Sequence, residues 1–377
     1  MKRLPTILIS ALVLMMACVE PYSPNESKSA GGFLVIDGFL NGTDSTASVA
    51  LTHAIALSEN IPIPPEEGAT VTVEPISGSS FTLSETAKGV YTANNLVYDE
   101  TKAYRVHIET KGGLSYSSDY ITLKRSPSLD SIVWHGTNTG LQFYVNGHDS
   151  FNQTTYYRYL FTETWEYRVT YVSDWRKNGD TPIFRDPIKD QVYTCWRSTD
   201  SQDVLTYSTK KLSEDIVSMF PIRFIPKGSR MVSRLYSMIL QQRAISQDEY
   251  EYWELIKKTT ENLGGLFDPL PAQVLGNVHN DNDPNEQVFG YFTGGYIKEQ
   301  RIFLREADLP ENLHYVDPYD FVCETRVIPY DQPQQSGIDV LLSTIGIPPT
   351  LWLVGTQNCS DCTTLGGDNV KPSFWPQ

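Results

Sequence analysis

Only six histidines occur in the 377 residues, all placed singly, and the short patterns of common catalytic chemistry are missing. There is no GxSxG for a nucleophile elbow, no HExxH for a zinc peptidase, no GxGxxG for a dinucleotide and no phosphate loop with its lysine. Carboxylates are plentiful, but no spacing among them singles out the acid and base of a glycosidase. The reading is therefore a protein that is not an enzyme and has no cofactor. Positive charge is also scarce: 30 Lys and Arg against 45 Asp and Glu leave a net charge of −15. Such a surface repels nucleic acid and anionic lipid headgroups. Charged residues make up 20% of the chain and aromatics 12%, a balance that excludes disorder for its body.

Long apolar runs are few. The stretch from Ile7 to Met16 is almost wholly apolar, but it is about half of the roughly 20 residues a membrane-spanning helix needs. Lys2 and Arg3 precede it, and Ala17 supplies the small residue a peptidase requires before its cut. This is a signal-peptide layout over residues 1–17. Cys18 stands where a bacterial lipoprotein carries the cysteine that receives a diacylglyceryl group and an N-acyl chain such as palmitate. Met15 and Met16 depart from the Leu and small residue more usual there. Several chains, at about 0.8 kcal/mol per buried methylene, anchor a protein stably. Residues 18–32, rich in Pro, Ser, Asn and Gly, then form a tether. The expected location is the outer membrane, facing the cell exterior, because position 19 is not Asp and Glu20 lies close to the anchor. Loss of Lys2 and Arg3 takes the net charge from −15 to −17. About 360 residues remain, enough for two domains.

Beyond Cys18, the chain holds Cys195, Cys323, Cys359 and Cys362, an even number in a chain that leaves the cytosol. Three pairings are possible. Loop closure favours Cys359 with Cys362, which leaves Cys195 with Cys323. A four-cysteine zinc site is the alternative, weakened by the lack of a second CxxC.

From Phe33 to Leu123, seven short apolar or alternating runs are separated by turn signals such as Asn41-Gly42, Ser77-Gly78, Lys88-Gly89 and Gly112-Gly113. They predict an immunoglobulin- or fibronectin-like β-sandwich over 33–125. Tyr104, Val106 and Ile108 alternate with His107, which places that histidine on the solvent face. The pattern breaks at Ser126-Pro127, and 126–377 reads as a larger β-rich domain with one main helix. That helix starts at Ser246, with Glu249 completing a capping box, Ile245 and Tyr250 a hydrophobic staple, and Gly264-Gly265 the end. The run Met231–Arg243 before it leans toward strand.

Two further constellations are weighed. Asp281, Asp283 and Glu286 form an oxygen-rich loop that is a weak calcium candidate, since the Gly and terminal Glu of an EF-hand are missing; a solvated β-loop is the blander reading. Trp165, Tyr167, Trp175 and Trp196 could make a platform for a sugar or peptide, although aromatic strand residues more often pack in cores.

Several blocks resemble a family of Bacteroidetes lipoproteins known as domain of unknown function 4249. They are Tyr193-Thr194-Cys195-Trp196, the helix start Ser246–Trp253, Gly264–Asp268, Gly276-Asn277-Val278, Val288–Phe292, and the ending from Cys359-Ser360-Asp361-Cys362 through Gly366-Gly367 to Phe374-Trp375. His279 stands where the family allows cysteine, so its disulfide pattern does not transfer. The resemblance implies no activity. It implies an accessory role in nutrient uptake beside a SusC-like TonB-dependent outer-membrane receptor, with a structural or adhesive surface protein as the alternative. In that context Asp44-Ser45-Thr46 and Asp130-Ser131-Ile132 are similar to bacterial O-glycosylation sequences at Ser45 and Ser131.

Overall fold

A computed structural model describes residues 32–55, 61–179, 181–261, 274, 276–316 and 323–376. The expected leader, Cys18, nearly all of the expected tether and the expected helix end at Gly264-Gly265 lie outside the described residues. The chain is mainly β. Nine strands open it: β1 (Leu34–Asn41), β2 (Thr46–His53), β3 (Thr70–Pro75), β4 (Phe81–Ala87), β5 (Val90–Ala93), β6 (Ala103–Glu109), β7 (Ser115–Ser118), β8 (Ile121–Thr122) and β9 (Lys124–Arg125). Alternation decides which face each strand buries. In β6, Tyr104, Val106 and Ile108 are buried while His107 is only half-buried on the opposite face, donating to or accepting from Ser117. Ile36, Leu51, Val71, Val106 and Phe292 belong to one core.

Phe292 comes from far down the chain. Strand β20 (Phe289–Tyr296) lies parallel to β1, with Val35 opposite Phe289 and Asn41 opposite Gly295, and β19 (Val278–Asn280) adds to β7. The expected boundary near Ser126 therefore needs correction: the first sandwich is completed by residues from the second half of the chain. Its antiparallel hairpins are joined by one parallel strand that local patterning does not announce. Gly290, with φ at +92°, allows that pairing, since a Cβ there would meet the Ile36 carbonyl oxygen at 1.8 Å.

A second sandwich packs β10 (Leu129–Gly136), β11 (Gly140–His148) and β17 (Ile216–Pro226) against a five-stranded sheet. That sheet holds β12 (Tyr156–Arg168), β15 (Thr194–Asp200), β16 (Leu205–Ser208), β18 (Leu235–Ala244) and β21 (Lys298–Arg305). Phe143, Tyr159, Ile225, Tyr236 and Leu240 fill the core between them. The ambiguous run before the helix is thus strand β18. A hairpin of β13 (Trp175–Asn178) and β14 (Thr181–Phe184) leads to a small sheet of β22 (Thr325–Pro329), β23 (Val340–Ile345) and β24 (Leu351–Gly355). Trp352 of β24 is fully buried between Trp175 and Tyr330, with ring centroids 5.1 and 4.9 Å away.

The cysteine pairing also differs from expectation. Cys195 bonds Cys362 and Cys323 bonds Cys359, with Cα separations of 5.7 and 5.8 Å. The two CxxC cysteines sit on consecutive short helical turns whose backbones are tied to different places. Tyr171 N–H donates to the Cys359 carbonyl, whereas the Cys362 N–H donates to the Val192 carbonyl. Each sulfur therefore faces its own distant partner, which overrides the entropy argument for the local pair and leaves no four-thiolate zinc set. Non-reducing peptide mapping should recover these two links. Replacing Cys195 and Cys362 by serine should cost about 2–5 kcal/mol in denaturant titrations. It should cost about 1 kcal/mol more than removing the other pair, because the sequence separation bridged is 167 rather than 36. A recovered Cys359–Cys362 link would refute the arrangement.

Candidate functional site

The two sandwiches meet where the chain crosses between them three times. It passes from β9 to β10, from β18 into the main helix α1 (Gln247–Glu261), and from β20 to β21 with only Ile297 between. Polar contacts tighten the crossing. Ala244 N–H donates to Ser126 Oγ at 2.8 Å, Gln242 Nε2 to the Pro127 carbonyl at 2.8 Å, and Lys124 Nζ to the Ile245 carbonyl at 3.2 Å. Helix α1 begins here as its N-terminal signals predict: Glu249 N–H donates to Ser246 Oγ at 3.1 Å.

The reciprocal half of the capping box is replaced by something else. The Glu249 side chain, only 2% of whose surface is exposed, turns into the junction, where it accepts from the Thr293 hydroxyl at 2.5 Å and from Trp253 Nε1 at 3.3 Å. Two cations gather around it on aromatic faces. The Arg158 guanidinium lies 3.5 Å from the Trp253 ring centre and that of Arg243 3.7 Å from Phe39. Burial raises the Glu249 carboxyl above its ordinary range despite its hydrogen bond from Thr293 and the nearby Arg158 charge. Burial likewise pulls Arg243 down to about 10, with the Arg158 charge adding to the effect. Five elements thus converge on one buried charge set: β1, β12, β18, β20 and α1.

Beside this set opens a cavity of about 490 Å³, lined by Tyr120, Lys124, Asp248, Tyr252, Tyr291 and Thr293 among others. Clefts of this size at domain junctions are the usual place for ligands. Asn277 stiffens one wall, bonding both the N–H and the carbonyl of Phe292 at 2.8 Å. In this way two sequence blocks, Gly276-Asn277-Val278 and Val288–Phe292, lie side by side. A Cβ on Gly276 would meet the Gly290 carbonyl oxygen at 1.6 Å.

The residues singled out from sequence take other places. Asp281, Asp283 and Glu286 diverge, so the calcium reading is corrected. Asp281 accepts from the Ser115 and Ser117 hydroxyls at 2.5 and 3.2 Å, Glu286 accepts from Tyr116 at 2.7 Å, and Asp283 caps the Asn285 N–H at 3.0 Å. The loop is pinned to β7, and among the described residues no three such side chains are placed to share an ion. The aromatic platform is likewise not formed. Tyr167 is buried beside Cys195 and Cys362 with Trp165 half-buried against the same cluster, Trp175 packs on Trp352, and Trp196 is half-buried on β15. Ser45 occupies a β1–β2 turn with φ at +57°. Ser131 is half-buried on β10, its hydroxyl accepting from Asn146 Nδ2 at 3.2 Å. Sequence reasoning missed Arg158, Arg243 and Thr293; arginines inside aromatic strand runs were the one signal available.

A family model matches residues 19–301, three quarters of the chain. The chain belongs to the family described as domain of unknown function DUF4249. The match spans the first sandwich, helix α1 and most of the second sandwich, so the junction lies within it. No curated protein matches the chain. Solved structures similar to parts of it include a chain from the structure of manganese lipoxygenase of Gaeumannomyces graminis with part of zonadhesin of Komagataella pastoris. That chain is 8% identical, with 59% of this chain and 91% of that one covered and a TM-score of 0.18. Chicken interferon gamma receptor alpha chain is 11% identical over 56% and 88%, TM-score 0.16. The Yersinia pseudotuberculosis adhesin InvE is 15% identical over 57% of each, TM-score 0.14. Superpositions this loose carry no function across.

The raised Glu249 carboxyl has a consequence for stability. Its folded form holds a proton that the unfolded chain, titrating near 4.5, has already released, so the group's contribution falls as pH rises above that value. In urea titrations the stability of the wild type minus that of Glu249→Gln should decline from pH 4.5 toward neutrality. A difference independent of pH would show that the carboxyl titrates alike in both states.

Proposed function

We propose that this protein is an exported, lipid-anchored binding protein of the outer membrane. In this reading it faces the cell exterior and captures a ligand for a SusC-like TonB-dependent receptor, without catalysing a reaction. The observation that carries the binding role is the cavity of about 490 Å³ where helix α1 meets both sandwiches. Three chain crossings and a buried charge set fix the walls that β20 and the start of helix α1 give it, which lowers the ordering cost when a ligand arrives. The basic start, apolar run and Cys18 support export and anchoring, and two disulfides suit an oxidising compartment. Among the described residues no helix is long and apolar enough to cross a membrane. The receptor as partner rests on the family resemblance.

A second reading, an adhesive or structural surface protein, is favoured by one feature. Val327 and Ile345 on the small sheet and the wholly exposed Ile347 in its β23–β24 turn face outward, and exposed apolar groups can mark contact surfaces.

Cys18→Ser should move the chain from the membrane fraction to the soluble one when native cells are fractionated. Retention of this variant on the membrane would sink the anchor. Native protein drawn from membranes in mild detergent should bring down a TonB-dependent receptor, identified by mass spectrometry. Recovery without one, together with normal uptake after deletion, would favour the adhesive reading.

A further inference from the structure

Adjoining the junction cavity at Glu251 and Leu255 of helix α1 lies a second groove, of about 700 Å³, whose chemistry differs from that of the junction. One wall is the helix face carrying Tyr250, Glu251, Glu254, Leu255 and Lys258, and the other is the start of β12 at Tyr156 with the turn that follows β16. That turn presents Lys210 and Lys211 on a fixed backbone. Thr209, 4% exposed, donates its N–H to the Thr155 carbonyl at 2.9 Å, Lys210 N–H donates to Ser208 Oγ at 3.2 Å, and Leu212 N–H closes on Thr209 at 2.7 Å.

Charge sets this groove apart. In a chain with 45 acidic and 30 basic residues, Lys210, Lys211 and Lys258 line one groove, and none of the three ammonium groups has an ion-pair partner among the described residues. The carboxylates beside them are each half engaged. Glu254 accepts from the Thr206 hydroxyl at 2.5 Å and Glu251 from Gln247 Nε2 at 2.7 Å, each through Oε1, leaving Oε2 free to accept. Tyr250 is tilted against Tyr156 with centroids 4.9 Å apart, and it remains half-exposed toward the groove.

We infer that this groove takes an acidic saccharide, a ring rich in hydroxyls that bears carboxylate or sulfate groups. Each feature has its counterpart in such a ligand. Ammonium groups meet the anionic substituents in charge-assisted bonds, free carboxylate oxygens accept from ring hydroxyls, and the half-exposed Tyr250 offers part of its ring to the C–H face of the sugar. A plain inorganic oxyanion would leave the carboxylates and the tyrosine without a role, and a neutral sugar would leave the lysines without one. The inference deepens the reading of the chain as a ligand-capturing protein by naming a ligand class.

The test is calorimetric titration of the full-length chain in mild detergent with trigalacturonate, a chondroitin sulfate tetrasaccharide, maltotriose and inorganic phosphate at one ionic strength. One or both acidic oligosaccharides should bind, and more tightly than maltotriose or phosphate. Lys210→Gln with Lys211→Gln should weaken that binding about tenfold or more, as expected for losing hydrogen bonds to a charged group. Lys258→Gln should weaken it too, while Lys189→Gln on a remote loop leaves it unchanged. Circular dichroism would establish that the variants keep their fold. Binding of neither acidic oligosaccharide, phosphate binding as tight as theirs, or affinities indifferent to the lysine changes would each overturn the proposal. Receptor partnership is measured separately, so an absent receptor with intact saccharide binding faults the partner and leaves the groove standing.

Discussion

The parallel pairing of Leu34–Asn41 with Phe289–Tyr296 is the contact from which the rest of the architecture follows. It closes the first sandwich with a strand from the far half of the chain, Phe289 lying opposite Val35. It also sets the position of β21, which is separated from β20 by Ile297 alone, and thereby ties the second sandwich to the first. The same strand carries Tyr291 and Thr293 beneath helix α1, so the floor of the junction cavity exists only once this pair has formed. The entropy of closing so long a loop grows only logarithmically with length, which makes such a pairing affordable for a buried strand. Its cost is backbone crowding, met by glycine at 276 and 290 where no Cβ fits.

The buried charges at the junction make sense in that frame. Arg158 and Arg243 lie over aromatic rings, and Glu249 takes two hydrogen bonds from α1 and β20. A set of this kind is a weak source of net stability, because desolvation consumes most of the attraction. It is a strong constraint on register, since any sliding of the helix against the sheets would leave a charge buried without its partners. The two grooves flanking α1 inherit their shape from this constraint. One is walled by tyrosines and acidic groups at the crossing of the sandwiches, and the other by lysines on a turn of the second sandwich.

Legibility from sequence varied by element for definable reasons. Strands with strict alternation, such as Ala103–Glu109, were readable because burial of one face writes itself into every second residue. The start of α1 was readable because a capping hydroxyl serves backbone groups only three residues away. The destination of the Glu249 side chain was not, since the local rule sends it back to the cap whereas Thr293 and Trp253 offered donors in a buried site. The acidic loop misled in the same manner. Its carboxylates are close in sequence, yet Asp281 and Glu286 bond different residues of β7 while Asp283 caps its own loop. For the cysteines, proximity along the chain favoured the wrong pair, because successive helical turns aim Cys362 at β15 and Cys359 at the segment before β22.

What neighbouring residues could settle alone was the β character of the body, the position of one helix start and the acidic net charge of the chain. These depend on patterns a few residues long, where the backbone period and the local charge leave little choice. Folding in three dimensions decided the rest: which strand closes the first sandwich, which cysteines bond, where Glu249 ends, and that Arg158 and Arg243 meet it. Those outcomes turn on which distant surfaces come into contact, and no short window of sequence contains both sides of such a contact.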